Sequence, residues 1–141
     1  MRSYLVVGNQ TLGSSVLAAA IAERVHRGPA TFHVVVPATP AQRGLTWDED
    51  EARRIAGQHL EAMLARLHAL GAKATGEIGA RDPIEAVEDA IRGRDVDEIL
   101  LSTLPAGISR WLGQDIPTRL KGSVMVPVVV LTAERESVPA S

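Results

Sequence analysis

Residues 98–113 read EILLSTLPAGISRWLG, an apolar strand that runs into a turn of small residues and then into a short helix. Parallel α/β sheets bind ligands at the carboxyl ends of their strands, where backbone N–H groups and helix N-termini attract anions. The opening segment, residues 4–15 (YLVVGNQTLGSS), has the same order of strand, turn and helix. We therefore expect the two turns to face each other across one crevice.

Strands and helices alternate along the whole chain. We predict strands β1 to β5 at residues 4–7, 31–36, 74–78, 99–103 and 126–131, and helices that include 16–25, a long one from about 48 to 71, and one from 83 to 93. This alternation requires a parallel sheet with right-handed crossovers. We expect an open, doubly wound α/β fold with strand order 3-2-1-4-5 and three or four helices on its two faces. Residues 1–131 form the predicted domain, and residues 132–141 a flexible tail.

Acidic residues mark two of the predicted helix starts. Asp82, Pro83 and Glu85 supply an N-cap, a proline in the first turn and a first-turn carboxylate. The run from Asp48 to Glu51 complements the positive end of a helix dipole, so we interpret it as helix capping.

Composition excludes several classes of function. The chain has 15 Lys and Arg against 17 Asp and Glu, so its net charge of −2 gives no electrostatic footprint for non-specific nucleic-acid binding. One Phe and one Tyr leave little for stacking bases. It has no Cys, so disulfides and thiol catalysis are excluded. It shows neither a secretory segment nor an apolar run of membrane-spanning length. We expect a cytoplasmic protein without a nucleic-acid or membrane partner.

The turn after β1 has the glycine spacing of a phosphate-binding P-loop, with four residues between Gly8 and Gly13. Ser14 stands where that motif needs its lysine, so an NTPase of this class is excluded. Two interpretations remain open. Gly8, Asn9 and Gln10 bind an anion with the N–H groups of the following helix, or Gly8 only allows the turn.

The remaining polar candidates favour binding over catalysis. Three arginines, Arg43, Arg81 and Arg110, follow β2, β3 and β4 at the ligand edge of the sheet, as anion contacts or as solvated surface residues. His33 lies inside an apolar strand, so we predict a hydrogen-bonded core residue rather than a catalytic base. The histidine spacings do not predict a metal site.

Three local segments resemble the universal stress protein family, in residues 32–35 (FHVV), 79–87 (GARDPIEAV) and 126–130 (VPVVV). The resemblance extends from Tyr4 to Leu131. It implies the fold of that family, which is adenine nucleotide alpha hydrolase-like. It also implies that Val35 and Val36 face an adenine base through backbone groups.

The chain departs from the nucleotide-binding members of that family, which carry G-x2-G-x9-G-[ST] after β4. Ser102 and Pro105 replace the first two glycines, Gly113 comes two residues early, and Gln114 replaces the hydroxyl residue. Asn9 replaces the aspartate that is usual after β1. Of this motif the chain retains only Gly113. We expect Ser102, Thr103, Gly107, Arg110 and Gly113 to lie at the ligand, with helix N-terminal donors after Gly107 and the Arg110 cation suited to a small anion.

The resemblance implies a non-enzymatic, stress-related protein that senses a small anionic or nucleotide ligand in the β1/β4 crevice. We expect ATP to bind weakly or not at all, because Pro105 lacks an N–H group and neither turn has a lysine. The alternatives are a slow nucleotide hydrolase that uses the same crevice and a pure interaction scaffold. The apolar edge strand β5 predicts a homodimer.

Overall fold

Five parallel strands form one sheet in the order β3-β2-β1-β4-β5. The computed structural model describes residues 1–38, 49–105 and 110–133. Its strands are β1 Arg2–Val7, β2 Ala30–Pro37, β3 Lys73–Gly79, β4 Glu98–Thr103 and β5 Val128–Thr132. The predicted α/β class and strand order are confirmed.

Helices cover both faces of this sheet. They are α1 Ser15–Arg27, α2 Glu49–Ala69, α3 Pro83–Ile91, α4 Arg110–Gly113 and α5 Ile116–Ser123, and a 3-10 turn spans Gln10–Gly13. The sequence analysis did not place α5 or the 3-10 turn. None of the helices that the structure describes is long and apolar enough to cross a membrane.

Two hydrophobic cores lie on opposite faces of the sheet. Val6, Val34 and Leu100 pack with α1 and α2, whereas Leu5, Val35 and Leu101 pack with α3 and α5. Because side chains alternate along a strand, the central strands need apolar residues at every position to fill both cores. This requirement explains the continuous apolar runs of β1, β2 and β4.

Two predicted features at the ends of elements have clear outcomes. Asp82 caps α3 as predicted, because its carboxylate accepts a hydrogen bond from the Ile84 N–H at 3.1 Å. The predicted start of β5 at Val126 is wrong, since the strand begins at Val128. Pro127 has no N–H group to donate to a ladder, although its carbonyl accepts from the Ile99 N–H at 2.9 Å.

A close contact joins β3 to α3. A Cβ atom on Gly79 would lie 2.7 Å from the Cβ of Ala86 and 3.0 Å from Cγ1 of Val35. Only glycine leaves room for the helix at this distance from the sheet. This contact fixes α3 over the carboxyl half of β2 and β3.

A buried ion pair joins α1 to β4. The Arg24 guanidinium lies 2.6 Å from a Glu98 carboxylate oxygen, donates to the Ala20 carbonyl at 2.9 Å and sits 5.8 Å from the centre of the Tyr4 ring. The Arg24 side chain is 9% exposed and that of Glu98 23%. The hydrogen bond to Glu98 raises the pKa of Arg24 above its usual value, so the arginine stays charged in the interior.

Candidate functional site

Gly8 lies directly after β1, at the carboxyl end of the strand where the sequence predicts the crevice. The Gly8 N–H donates to the Val35 carbonyl at 3.3 Å. A Cβ atom at Gly8 would lie 2.9 Å from Cδ2 of Leu12 and 3.2 Å from Cβ of Ser102. Glycine therefore lets the 3-10 turn approach β4 closely, which is a packing role that is independent of any ligand.

Asn9 follows, and two hydrogen bonds fix its side chain. Its amide nitrogen donates to the Pro37 carbonyl at 2.9 Å, and its amide oxygen lies 2.6 Å from Nδ1 of His59. Since the amide oxygen can only accept, Nδ1 of His59 carries the proton, and Nε2 of the neutral ring is an acceptor. Burial lowers the pKa of His59 below the ordinary value of 6.5, which favours this neutral form.

A pair of buried hydroxyl groups bridges the base of the crevice. The Thr11 and Ser102 hydroxyl oxygens are 2.6 Å apart, and the Ser102 hydroxyl also lies 3.3 Å from the Thr11 carbonyl. Ser102 can donate to this carbonyl while it accepts from the Thr11 hydroxyl. Thr11 is 6% exposed and Ser102 1%, so the bond ties the 3-10 turn to β4 away from water.

The other residues predicted for this site have separate positions. Gln10 is exposed, whereas Val35 and Val36 are buried in opposite cores and offer a ligand only their backbone. Thr103 is 2% exposed, and its hydroxyl has no hydrogen-bond partner among the described residues.

Five predicted positions have no part in these hydrogen bonds or lie outside the described residues. Gly113 is exposed at the end of α4. Arg81 is exposed after β3. Gly107, Arg43 and the Arg110 side chain lie outside the described residues.

Sequence reasoning missed two residues of α2 at this site, His59 and Arg66. Seven residues, or two helical turns, separate them, so both lie on the helix face toward the 3-10 turn. The Arg66 guanidinium lies over Gly13, where a Cβ atom would be 2.9 Å from Nη1. His59 lies four residues before buried Met63 and Arg66 three residues after it, and this spacing in the sequence could have placed both on the buried side of the helix. Helix α2, which belongs to neither of the two turns after β1 and β4, thus adds an imidazole and a cation to the site.

The Asn9→Asp variant is expected to raise the pKa of His59 relative to wild type. A carboxylate in place of the amide oxygen would accept the same Nδ1–H bond and favour the imidazolium, against the burial that now lowers this pKa. NMR titration of the histidine ring signals measures the change, with exposed His26 as the internal reference. A His59 titration that is identical in the two proteins would contradict this geometry.

The Asn9–His59 pair also makes the stability of the folded protein depend on pH. Because the pKa of His59 is lowered by folding, the unfolded chain binds its proton more readily, and the contribution of this site is lost as pH falls below about 6.5. In the Asn9→Asp variant the higher pKa of folded His59 lies closer to that of the unfolded chain, so less stability is lost as pH falls through the same range. Urea unfolding at several pH values, wild type against variant, measures the difference.

The fold and this geometry can now be compared with known proteins. The sequence matches no protein-family model and no curated protein. A universal stress protein family structure from Burkholderia pseudomallei is 20% identical, with a TM-score of 0.60, and the match covers 92% of this chain and 94% of that one. A universal stress protein from Archaeoglobus fulgidus in complex with dAMP is 18% identical, with a TM-score of 0.59 and coverage of 93% and 97%.

The chain has the universal stress protein fold. A family protein from Arabidopsis thaliana with AMP bound extends the likeness, at 9% identity, a TM-score of 0.62 and coverage of 100% of this chain and 97% of that one. The low identities mean that the universal stress protein likeness is one of backbone architecture. Which side chains fill the crevice is a property of this chain alone.

Proposed function

We propose that the protein is a non-enzymatic cytoplasmic ligand sensor of universal stress protein type, whose crevice binds a nucleoside monophosphate or a smaller anion and binds ATP weakly or not at all. The observation that carries the proposal is Asn9, a polar side chain held in one orientation by Pro37 and His59 at the carboxyl end of β1. A side chain that is oriented before binding loses little conformational entropy when a ligand arrives.

Groups with unused hydrogen-bonding capacity surround this oriented amide. Asn9 keeps its second amide hydrogen and a lone pair, and Nε2 of neutral His59 is an acceptor for a ribose hydroxyl. Arg66, over Gly13, supplies positive charge at the start of α1. The AMP and dAMP bound to structural neighbours support a nucleoside monophosphate as the ligand class.

The β4 side of the crevice argues against a triphosphate. Ser102 already bonds Thr11, and Pro105 has no backbone donor. A charge-assisted hydrogen bond contributes about 1.5–3 kcal/mol, so the loss of two donors weakens binding by roughly a hundredfold or more. A monophosphate carries less negative charge than a triphosphate, so it needs fewer of these donors.

Titration calorimetry with AMP, Mg-ATP and inorganic phosphate tests the proposal. We expect saturable AMP binding that Asn9→Ala weakens at least about tenfold, the effect of one hydrogen bond at 1.4 kcal/mol. Gln58→Ala removes an exposed amide from α2 beside His59 and is the matched control, with no expected change. Micromolar or tighter ATP binding that depends on Asn9 would contradict the proposal.

The Thr11–Ser102 bond favours one alternative, a scaffold whose crevice takes no ligand. That bond already satisfies the hydroxyl groups that a phosphate would otherwise use. Absence of binding by all three compounds, together with an intact dimer, would support this second function. In either case we propose that two copies pair through β5.

A further inference from the structure

A second, open cleft lies at the opposite edge of the sheet, near the amino ends of β1 and β2. Its volume is about 270 Å³, and its polar lining is Ser3, Thr31, His33, Thr75, Arg94 and Asp95. None of these residues belongs to the crevice described above. The cleft is smaller than the roughly 300–1,000 Å³ of sites for drug-sized ligands, so it suits a small metabolite.

The floor of the cleft is polar where the fold would accept apolar residues. Residues two apart on a strand share a face, so Ser3 lies on the face of buried Leu5, and Thr31 and His33 on that of buried Val35. Ser3 is paired with Thr31 across the sheet, and His33 with Thr75. The same face thus changes from core to polar surface where the cleft begins.

His33 organises this floor. The side chain is about nine-tenths buried, as predicted for a core histidine, and its Nε2 lies 2.6 Å from a Glu77 carboxylate oxygen. A carboxylate only accepts, so Nε2 carries a proton, and Nδ1 lies 2.7 Å from the Thr75 hydroxyl oxygen. In either direction of this bond the Thr75 oxygen keeps a lone pair, which makes it an acceptor for a ligand.

The remaining groups provide one charge of each sign. The Thr31 hydroxyl donates to the Ser3 oxygen at 3.2 Å, which leaves the Ser3 hydroxyl free to donate. Arg94 has a single ion pair among the described residues, to Glu77 at 3.9 Å, and retains most of its donors. Asp95 has no hydrogen bond or ion pair to another described residue. Donors and a cation therefore share the cleft with acceptors and an anion.

We propose that this cleft binds a small zwitterion, a free α-amino acid. Its carboxylate would pair with Arg94 and the Ser3 hydroxyl, and its ammonium group with Asp95 and the Thr31 and Thr75 oxygens. A ligand with one charge would contact only Arg94 or only Asp95, so both charges of the zwitterion contribute to recognition.

The test is an NMR titration of the full chain with each of the twenty amino acids, with glucose and inorganic phosphate as uncharged and anionic probes. We expect at least one amino acid to shift the His33 and Thr75 signals saturably. Its decarboxylated amine and its deaminated acid should each bind at least tenfold more weakly. The His59 signals at the crevice should not move, which separates this site from the proposed nucleotide site.

Three variants locate the ligand. Arg94→Gln and Thr75→Val, both at exposed positions, are expected to weaken binding at least tenfold. The thermal melting curve should stay unchanged for Arg94→Gln, whereas Thr75→Val also removes the hydroxyl that bonds the buried Nδ1 of His33 and should lower the melting temperature. Arg92→Gln removes the same charge from an exposed side chain outside the cleft and should bind as wild type does. The proposal is overturned if no amino acid shifts these signals, if only glucose or phosphate does, or if Arg94→Gln and Arg92→Gln bind equally well.

Discussion

Replacement of Glu98 by alanine is expected to lower the free energy of unfolding by about 3 kcal/mol, the lower end of the range for a broken buried ion pair. The reason is Arg24, whose side chain is 9% exposed in the wild-type structure and which remains charged after its partner is removed. The Tyr4 ring and the Ala20 carbonyl cannot replace a carboxylate. The 23% exposure of Glu98 lets some water reach the site, so the lower end applies.

An exposed pair on the same helix is the control. Glu23 bonds Arg27, and both side chains are more than half exposed, so Glu23→Ala should cost less than about 1 kcal/mol. The double variant Arg24→Met with Glu98→Leu removes both buried charges and should recover most of the stability lost in Glu98→Ala. Urea unfolding measures all three. Equal losses for Glu98→Ala and Glu23→Ala would show that water screens the Arg24 pair fully.

The Val130→Pro variant is expected to turn the proposed homodimer into a monomer, with a dissociation constant at least a hundredfold higher. The Pro127 carbonyl and the Ala133 N–H both form hydrogen bonds to β4. These two bonds show which residues of β5 direct their backbone groups toward β4, because the direction alternates from one residue to the next. By this alternation the Val129 backbone faces β4 and that of Val130 faces the open edge. Proline at 130 therefore removes a donor from the edge and none from the β4 ladder.

The adjacent position separates assembly from folding. Val129→Pro removes an N–H group on the β4 side, so it should lower stability strongly, whereas Val130→Pro should leave a folded monomer. Sedimentation equilibrium with a parallel unfolding curve measures both effects. A wild-type chain that is monomeric at high micromolar concentration, or a Val130→Pro variant that remains a dimer, would rule out pairing through β5.

The sheet was predictable because its signals are local. Continuous apolar runs identify strands buried on both faces, and the Asp82-Pro83 pair identifies a helix start, so each element could be found from its own residues. The missed helix α5 begins at Ile116 and Pro117, and the left-handed Asp115 before it makes no side-chain cap hydrogen bond. Asp115 and Pro117 are the residue types that mark the start of α3, one residue further apart, and the sequence analysis overlooked this local signal.

The candidate site was predictable only in part, because its decisive contacts join distant positions. Asn9 meets His59 across 50 residues, and Thr11 meets Ser102 across 91. Spacing along the chain says which residues share a helix face, but not which side chain a helix presents to a turn elsewhere. His59 therefore looked unimportant until the packing of α2 against the 3-10 turn placed its ring beside Asn9.

The position of β1 in the middle of the sheet has a consequence for synthesis. As the chain leaves the ribosome, β1 can pair with β2 early, but its other edge pairs with β4, whose residues are made much later. Until Glu98–Thr103 emerges, the nascent chain carries an open apolar strand edge, a template for wrong pairing with other chains. The exposure of this edge ends when β4 pairs with β1. The Ser3 backbone N–H and carbonyl then bond Asp97, the residue directly before β4. Codons between the second and fourth strands thus set how long a cell must shield this edge.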